Sequence, residues 1–299
     1  MSSRQSKEGS PCLRLGLPKG TLQETTRMLL ARAGFDVRYS ERSYFPTIDD
    51  PEIECILIRP QEMARYIAQG AMDCGIAGLD WVRENRVDVV ELADLRAPWP
   101  NYSPVRWVLA VKRGSGYESV RDLAGKRIAS EAVGLARQYF EEHGVEAAIE
   151  FSWGATEVKP PLLADAILDV TASGASLRAN DLDVLDVVLE STPRFIANRE
   201  AWADPWKRSK LEQLRMLMLG AIAAANQVSL SMNVPRERLG KVLELLPALN
   251  TPTVSPLADE SWVDVTTVVE ERLVRDLLPQ LADAGALGII ESALSKIIH

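Results

Sequence analysis

Apolar and polar positions along this chain fall into short blocks whose period switches repeatedly between that of a strand and that of a helix. An apolar run at residues 13–17 is followed by a helical pattern over 20–33 that stops at Gly34. The next strand pattern, 52–58, leads into a helix at 60–69 that opens on Pro60, a residue suited to a first helical turn. Residues 73–77 read as a short strand and 79–84 as a short helix. Strand patterns recur at 105–111, 126–129 and 147–151, with a helix over 132–143 and a Gly-Ser turn at Arg113-Gly114-Ser115-Gly116. The run 164–168 is short enough for a buried strand. Residues 183–189 and 193–197 add two more strands, and 202–225 is a long helical pattern. Alternation of this kind predicts an α/β protein.

The periodicity changes after residue 225. Residues 228–232 read as a strand, 235–246 as a helix opening on Pro235, and 251–257 and 262–269 as two strands. An amphipathic helix at 270–284 and a last strand at 286–290 complete the series. The order βαββαβ is that of a ferredoxin-like domain, a type that binds an effector or a subunit or serves as a structural appendage. Upstream, residues 193–197 are placed as a crossover from a second lobe back to the first. The expected divisions are 12–107 for lobe 1 with a return segment at 196–225, 108–195 for lobe 2, and 226–299 for the last domain. Two α/β lobes joined by two crossovers resemble the type II periplasmic-binding-protein fold, with a ligand cleft between the lobes.

Composition narrows the chemistry more than the architecture. With 299 residues, 46% hydrophobic and 25% charged, the chain can build two or three cores. No apolar run approaches the roughly 18–20 residues that span a bilayer, so no membrane association is expected. Residues 1–11 are polar and read as a disordered tail rather than a secretory signal, which makes the cytoplasm the expected location. Cys12, Cys55 and Cys74 lack metal-ligand spacing, and the two histidines, His143 and His299, offer no catalytic triad. A formal charge of −8 speaks against nucleic acid as a partner. Chemistry must then rest on carboxylates, Lys and Arg, hydroxyls, backbone amides or a bound metal.

The most informative stretch is Asp169-Val170-Thr171-Ala172-Ser173-Gly174-Ala175-Ser176-Leu177. A strand ending on an acid, then a small hydroxyl-rich turn, then a helix from about Leu177 gathers several N–H groups and two hydroxyls around one point. Such a point suits a phosphate monoester, and the acid suits neighbouring sugar hydroxyls. The plain alternative is a strand-to-helix turn with N-capping serines. Lys19 follows the first strand and Arg59 ends another, at the sheet edge where open α/β proteins bind ligands; either is otherwise a solvated surface cation. Asp73 and Asp80 flank Gly75-Ile76-Ala77-Gly78, whose glycines permit close approach of a nucleotide; Asp73 is equally placed to cap a turn.

The segment from Glu157-Val158-Lys159-Pro160 through Ala164-Asp165-Ala166-Ile167-Leu168-Asp169 to Ser173-Gly174-Ala175-Ser176-Leu177-Arg178-Ala179-Asn180 resembles the signature of the ATP phosphoribosyltransferases. Leu15-Gly16-Leu17-Pro18-Lys19-Gly20-Thr21-Leu22 resembles that family's opening strand and turn, and Arg59-Pro60 followed by residues 70–80 resembles its next motif. Asn233-Val234-Pro235, residues 252–257 and Gly285-Ala286-Leu287-Gly288-Ile289 resemble the extra domain of the long form. The likeness extends over nearly the whole chain after about residue 12.

The resemblance implies transfer of the phosphoribosyl group of phosphoribosyl pyrophosphate (PRPP) to N1 of the adenine of ATP, the first step of histidine biosynthesis. It implies that Asp169, Thr171, Ser173, Gly174, Ala175, Ser176 and Leu177 bind PRPP. Lys19, Gly20, Arg59, Asp73, Gly78, Asp80 and Glu157 are then the nucleotide residues, with Asp169, Lys19 and Arg59 nearest the chemistry. Mg²⁺ is the implied cofactor, held mainly by substrate phosphates. Histidine, through Ser231, Thr253 and Leu257, and AMP are the implied inhibitors, and a homohexamer the implied assembly. Residues 131–136 and 224–226 depart from the family pattern, so no role is carried to them. Two other readings remain open at this stage: a two-lobed ligand sensor without catalysis, and a phosphoribosyltransferase for another base.

Overall fold

The structure, a computed structural model, describes residues 11–40, 43–247 and 251–298. Residues 1–10 of the expected tail, and His299, lie outside the described residues. The chain divides into two compact units, residues up to 31 with 35–215, and residues 32–34 with 216 onward.

In the first unit, lobe 1 comprises β1 (Leu13–Pro18), α1 (Gln23–Ala33), β2 (Val37–Ser40), β3 (Ser43–Ile48), β4 (Ile53–Ile58), α2 (Pro60–Ala68), β5 (Cys74–Gly78), α3 (Leu79–Glu84) and β6 (Val90–Asp94). Lobe 2 follows with β7 (Val105–Lys112), β8 (Arg127–Ser130), α4 (Val133–Glu142), β9 (Ala148–Phe151), β10 (Ala166–Thr171), α5 (Ala175–Ala179) and β11 (Leu182–Ser191). The chain returns to lobe 1 as β12 (Pro193–Ala197) and leaves it through α6 (Arg199–Ala203) and α7 (Pro205–Ala223).

The strand orders are β4-β1-β5-β12-β6 in lobe 1 and β9-β8-β10-β7-β11 in lobe 2. Both follow one plan: three parallel strands, then an antiparallel strand on the far side of a crossover, then an edge strand. That repeated plan is the two-lobed α/β fold expected from the sequence. The lobe boundaries shift by three residues, however. Residues 105–107 already pair with β10 and β11, and residues 193–195 with β5 and β6.

Strand type follows from composition. β5 is buried along its whole length between β1 and β12, and its run Cys74-Gly75-Ile76-Ala77-Gly78 is apolar throughout, as a strand covered on both faces must be. Each face of the lobe 2 sheet has its own core. Trp107, Leu109 and Val111 point to the side of α4, and Val108, Ala110 and Ile167 to the side of α5. Three strands escaped the sequence reading, β2, β3 and β6. The long helical pattern at 202–225 is two helices, broken at Asp204-Pro205, where Pro205 starts α7 at a position it tolerates.

In the second unit, β13 (Gln227–Pro235), α8 (Leu239–Leu245), β14 (Thr253–Pro256), β15 (Trp262–Glu270), α9 (Glu271–Ala284) and β16 (Leu287–Ala293) form a four-stranded antiparallel sheet in the order β14-β15-β13-β16. This is the ferredoxin-like arrangement. α9 buries Val274, Leu277, Leu281 and Ala284, spaced three and four residues apart as one helix face requires. Strict alternation along β13 and β15 leaves Ser229, Ser231, Asn233, Asp264 and Thr266 on the other sheet face, beside Trp262 and Val268. The division between the units falls within α7 rather than at residue 226. Among the described residues no helix is long and apolar enough to cross a membrane.

Candidate active site

The carboxyl ends of β1, β4 and β5 lie side by side because β1 runs parallel to both neighbours. That edge gathers Lys19 and Arg59, as the sequence predicted, together with Gly20, Gly78 and Asp80. The Lys19 N–H donates to the Ile58 carbonyl at 2.8 Å, which ties the β1 turn to the end of β4. The Lys19 ammonium donates to the Tyr44 hydroxyl at 3.1 Å and stands 4.2 Å from the centre of that ring. Arg59 precedes Pro60 at the start of α2 in an extended conformation. Among the described residues neither Lys19 nor Arg59 has a carboxylate partner, so this edge carries uncompensated positive charge. Lys19 and then Arg59 favour the phenolate of Tyr44 and lower its pKa. Tyr44 sits on the β2–β3 hairpin, and nothing in the local sequence singled it out.

Asp80 is buried at the first turn of α3. Its carboxylate accepts from the Trp107 indole N–H and from the Trp81 N–H, both at 2.9 Å, and its own N–H donates to Ser191 Oγ at 3.0 Å. Burial pushes its carboxyl up, against the pull of the Trp107 and Trp81 donors. Trp107 and Ser191 belong to lobe 2, so Asp80 joins the lobes. A Cβ on Gly78 would stand 2.1 Å from Asp80 Oδ1, so only glycine admits this carboxylate. The rings of Trp81 and Trp107 meet edge to face at 6.1 Å. A cleft of about 260 Å³ opens beside them, with Thr21, Pro60 and Gln61 on one wall and Glu131 and Val170 on the other.

Asp73 does not belong to this edge. It precedes β5 at the opposite end of the sheet, 2% exposed, and accepts from the Arg14 N–H at 2.8 Å, the Arg14 guanidinium at 3.2 Å and the Lys207 ammonium at 2.9 Å. Burial works against its charge, but those three donors prevail and hold the carboxyl below the usual range. Its place is that of a buried ion-pair anchor, and the nucleotide role expected for it is withdrawn. The glycine-bounded segment was read correctly, but only strand direction shows that its two acids lie at opposite sheet edges.

On lobe 2, Asp169 lies inside β10 rather than at its end, since the strand continues to Thr171. Its carboxyl is raised to about 6, first by burial and further by the charges of Glu157 and Glu131, while the Val170 N–H at 2.8 Å opposes the shift. Glu157 therefore stands near Asp169 on lobe 2, apart from the lobe 1 residues that share the nucleotide role expected for it. Glu131 reaches across the cleft, where Gln61 Nε2 donates to it at 3.5 Å.

The loop after Thr171 turns through Gly174, whose φ of 72° is left-handed, and enters α5 at Ala175. Thr171 is buried, and its Oγ1 accepts the Gly174 N–H at 2.8 Å. The Gly174 amide is thus engaged inside the loop, and the Ala175 N–H donates to Ser173 Oγ at 3.4 Å, so fewer of the loop amides face outward than the sequence suggested. Ser176 and Leu177, in the first turn of α5, keep N–H groups without an intrahelical partner. The Leu177 side chain is part of the core. Among the described residues no group of three or more His, Cys, Asp or Glu side chains is arranged to hold a metal ion.

In the second unit, Ser231 and Thr253 both pair with Thr266, one from each side, and so share one face of the sheet. Ser231 Oγ donates to Asp264 at 3.1 Å, and Thr266 to the same carboxylate at 2.9 Å. Leu257 lies beyond the end of β14, where its N–H donates to the Trp262 carbonyl, and is not in that row.

A cleft between two α/β lobes, lined by Asp80 and the Trp81 and Trp107 rings with Gln61 facing Glu131 across it, defines a two-lobed α/β protein with a ligand site between its lobes. The profile of the family described as ATP phosphoribosyltransferase matches residues 59–220, and that of its C-terminal domain matches residues 224–296. The chain is 54% identical over 286 residues to the ATP phosphoribosyltransferase of Chlorobaculum parvum, covering 96% of this chain and 97% of that one. It is 53% identical over 286 residues to that of Solibacter usitatus, covering 96% and 99%. A solved structure, the ATP phosphoribosyl transferase (HisG:HisZ) complex from Thermotoga maritima, superposes with a TM-score of 0.58 at 26% identity, over 69% of this chain and 98% of that one. The chain belongs to the ATP phosphoribosyltransferase family, the pentosyltransferases of the first step of histidine biosynthesis, in the long form that carries the C-terminal domain.

Proposed function

We propose that PRPP lies against lobe 2, with its 5-phosphate at the 173–177 loop and its ribose at Asp169, and that ATP lies along the lobe 1 edge. The observation that carries this reading is Asp169, a carboxyl raised to about 6 in the strand that leads into the 173–177 loop, where the Ser176 and Leu177 amides have no intrahelical partner. In the reaction, N1 of adenine bonds to C1 of the ribose as the C1–oxygen bond to pyrophosphate breaks, and the electron pair leaves with pyrophosphate. Asp169 accepts from the ribose hydroxyls and stabilises positive charge that develops on the sugar. Lys19 and Arg59 meet phosphate charge and hold ATP within attack distance; positioning of this kind contributes roughly 7–11 kcal/mol in favourable cases.

Mg²⁺ bound to the substrate phosphates would supply charge neutralisation for the leaving pyrophosphate, and the negative field of Asp169, Glu157 and Glu131 would suit such a cation. Histidine is proposed as an effector at the face shared by Ser231 and Thr253, with AMP as a second inhibitor, in a homohexamer working in the cytoplasm.

The test is an ultraviolet assay of the purified chain with ATP, PRPP, Mg²⁺ and pyrophosphatase, with and without histidine. Absorbance of the modified adenine should rise, stop in excess EDTA and be suppressed by histidine. A rise that persists in EDTA removes the metal, and one indifferent to histidine removes the effector site.

A further inference from the structure

We infer that Arg178 is a positioning residue that holds the phosphate loop in its ligand-ready form, an inference that rests on the placement of the 5-phosphate at residues 173–177 proposed above. The argument starts from one peptide group, the Ser173–Gly174 unit. Its N–H is taken by Thr171 Oγ1 at 2.8 Å, and its carbonyl accepts from Arg178 Nη1 at 2.9 Å. A peptide plane held at both ends cannot turn over. This matters at Gly174, because glycine in a left-handed turn leaves the preceding peptide among the softest in a backbone. If the plane turned over, both of these bonds would be lost, and the turn that leads the chain into the Ser176 and Leu177 amides would change shape.

The sequence explains how the guanidinium reaches this point. Side chains on a helix lean toward its N-terminus, so a residue at the end of α5 covers the position four earlier. Arg178 is four residues after Gly174, and its own N–H donates to the Gly174 carbonyl at 3.1 Å. A Cβ on residue 174 would stand 3.0 Å from Arg178 Nη1. The missing Cβ therefore opens the path of the guanidinium as well as permitting the positive φ. Arg178 is exposed and, among the described residues, forms no ion pair; its only side-chain hydrogen bond there is to the loop carbonyl. A charge-assisted bond is roughly twice as strong as a neutral one, which suits it to hold an otherwise solvated turn.

The probe is ribose 5-phosphate, which has the 5-phosphate but no pyrophosphate, titrated by calorimetry into the full chain. Arg178→Met should weaken its binding about tenfold and raise the KM for PRPP by the same factor. The kcat, the dissociation constant for ATP and the thermal midpoint should be unchanged. Arg178→Lys, which can still donate to the Ser173 carbonyl, should recover much of the loss. Thr171→Val, which frees the other end of the same peptide, should weaken ribose 5-phosphate as well. If Arg178→Met binds ribose 5-phosphate like the wild type, or loses ATP affinity and stability together, the positioning role is overturned. If the wild type binds PRPP but Asp169→Asn and Gly174→Val leave that affinity untouched, the phosphate lies elsewhere, and the loop placement falls together with the inference.

Discussion

Replacing Asp169 with asparagine should move activity and stability in opposite directions. An aspartate at the reference value of about 3.9 is more than nine-tenths ionised at pH 5. Asp169, raised to about 6, is about nine-tenths ionised at pH 7 and only about one-tenth at pH 5. If the ionised form holds the ribose, kcat/KM for PRPP should fall about tenfold between those pH values, following a single ionisation of the free enzyme. Asparagine cannot supply the charge. Its profile should be flat and lie about a hundredfold below the wild type at pH 7, roughly the worth of a charged hydrogen bond.

The effect on stability follows from the same shift. The folded chain binds this proton more tightly than the unfolded chain does. The ionised carboxylate therefore costs stability at neutral pH, and that cost is relieved as pH falls from about 6 toward 4. Asparagine removes it, so the variant should be more stable at pH 7 by about 1 kcal/mol once solvent screening is allowed for. Two measurements suffice: initial rates at low PRPP from pH 5 to 8, and thermal unfolding of both proteins at pH 7 and pH 5. A wild-type profile that is flat down to pH 5, or an asparagine variant that is both active and less stable, would refute the reasoning.

Other perturbations separate structure from chemistry. Lys207→Met leaves buried Asp73 with Arg14 as its only cation and should cost about 1–3 kcal/mol in urea unfolding, with the KM for ATP unchanged; a raised KM would return Asp73 to the ligand site. Glu84 accepts the Leu135 N–H at 2.7 Å and so caps α4, whose own N-cap residue, Ala132, provides none. Glu84→Ala should lower stability by about 1 kcal/mol in thermal unfolding, and an unchanged midpoint would show that the cap contributes nothing.

What the sequence revealed depended on whether the signal was local. The apolar runs of β1 and β5 are buried parallel strands, and their composition alone marks them, while β4 at the sheet edge shows alternating burial. β3 was illegible because Ser43-Tyr44-Phe45-Pro46-Thr47-Ile48 has no clean alternation and carries a proline, which argues against a strand. Missing that hairpin also hid Tyr44, the partner of Lys19. The loop at 173–177, to which the 5-phosphate is assigned by proposal, was legible as a turn because small and hydroxyl residues crowd between a strand and a helix. The amide that Thr171 occupies was not, since it depends on how the turn closes. The partners of Asp80, Trp107 and Ser191, are 27 and 111 residues away, and no window along the chain joins them.

The two crossovers between the lobes end side by side, for Val105 and Ser191 face each other across the β7–β11 ladder. The covalent links between the lobes therefore sit at one place, like the binding of a page, while Asp80 with Trp107 and Glu84 with the Leu135 N–H add side-chain contacts. Whatever the tethered page carries meets lobe 1 at an effective concentration set by the reach of the hinge and not by the surrounding solution. Dilution weakens the capture of each ligand from solvent, but it does not weaken the encounter of two ligands already held on facing pages. The segment 95–104 that makes one of the two links also contributes Asn101 and Ser103 to the cleft, so a change in its length would alter the wall along with the tether.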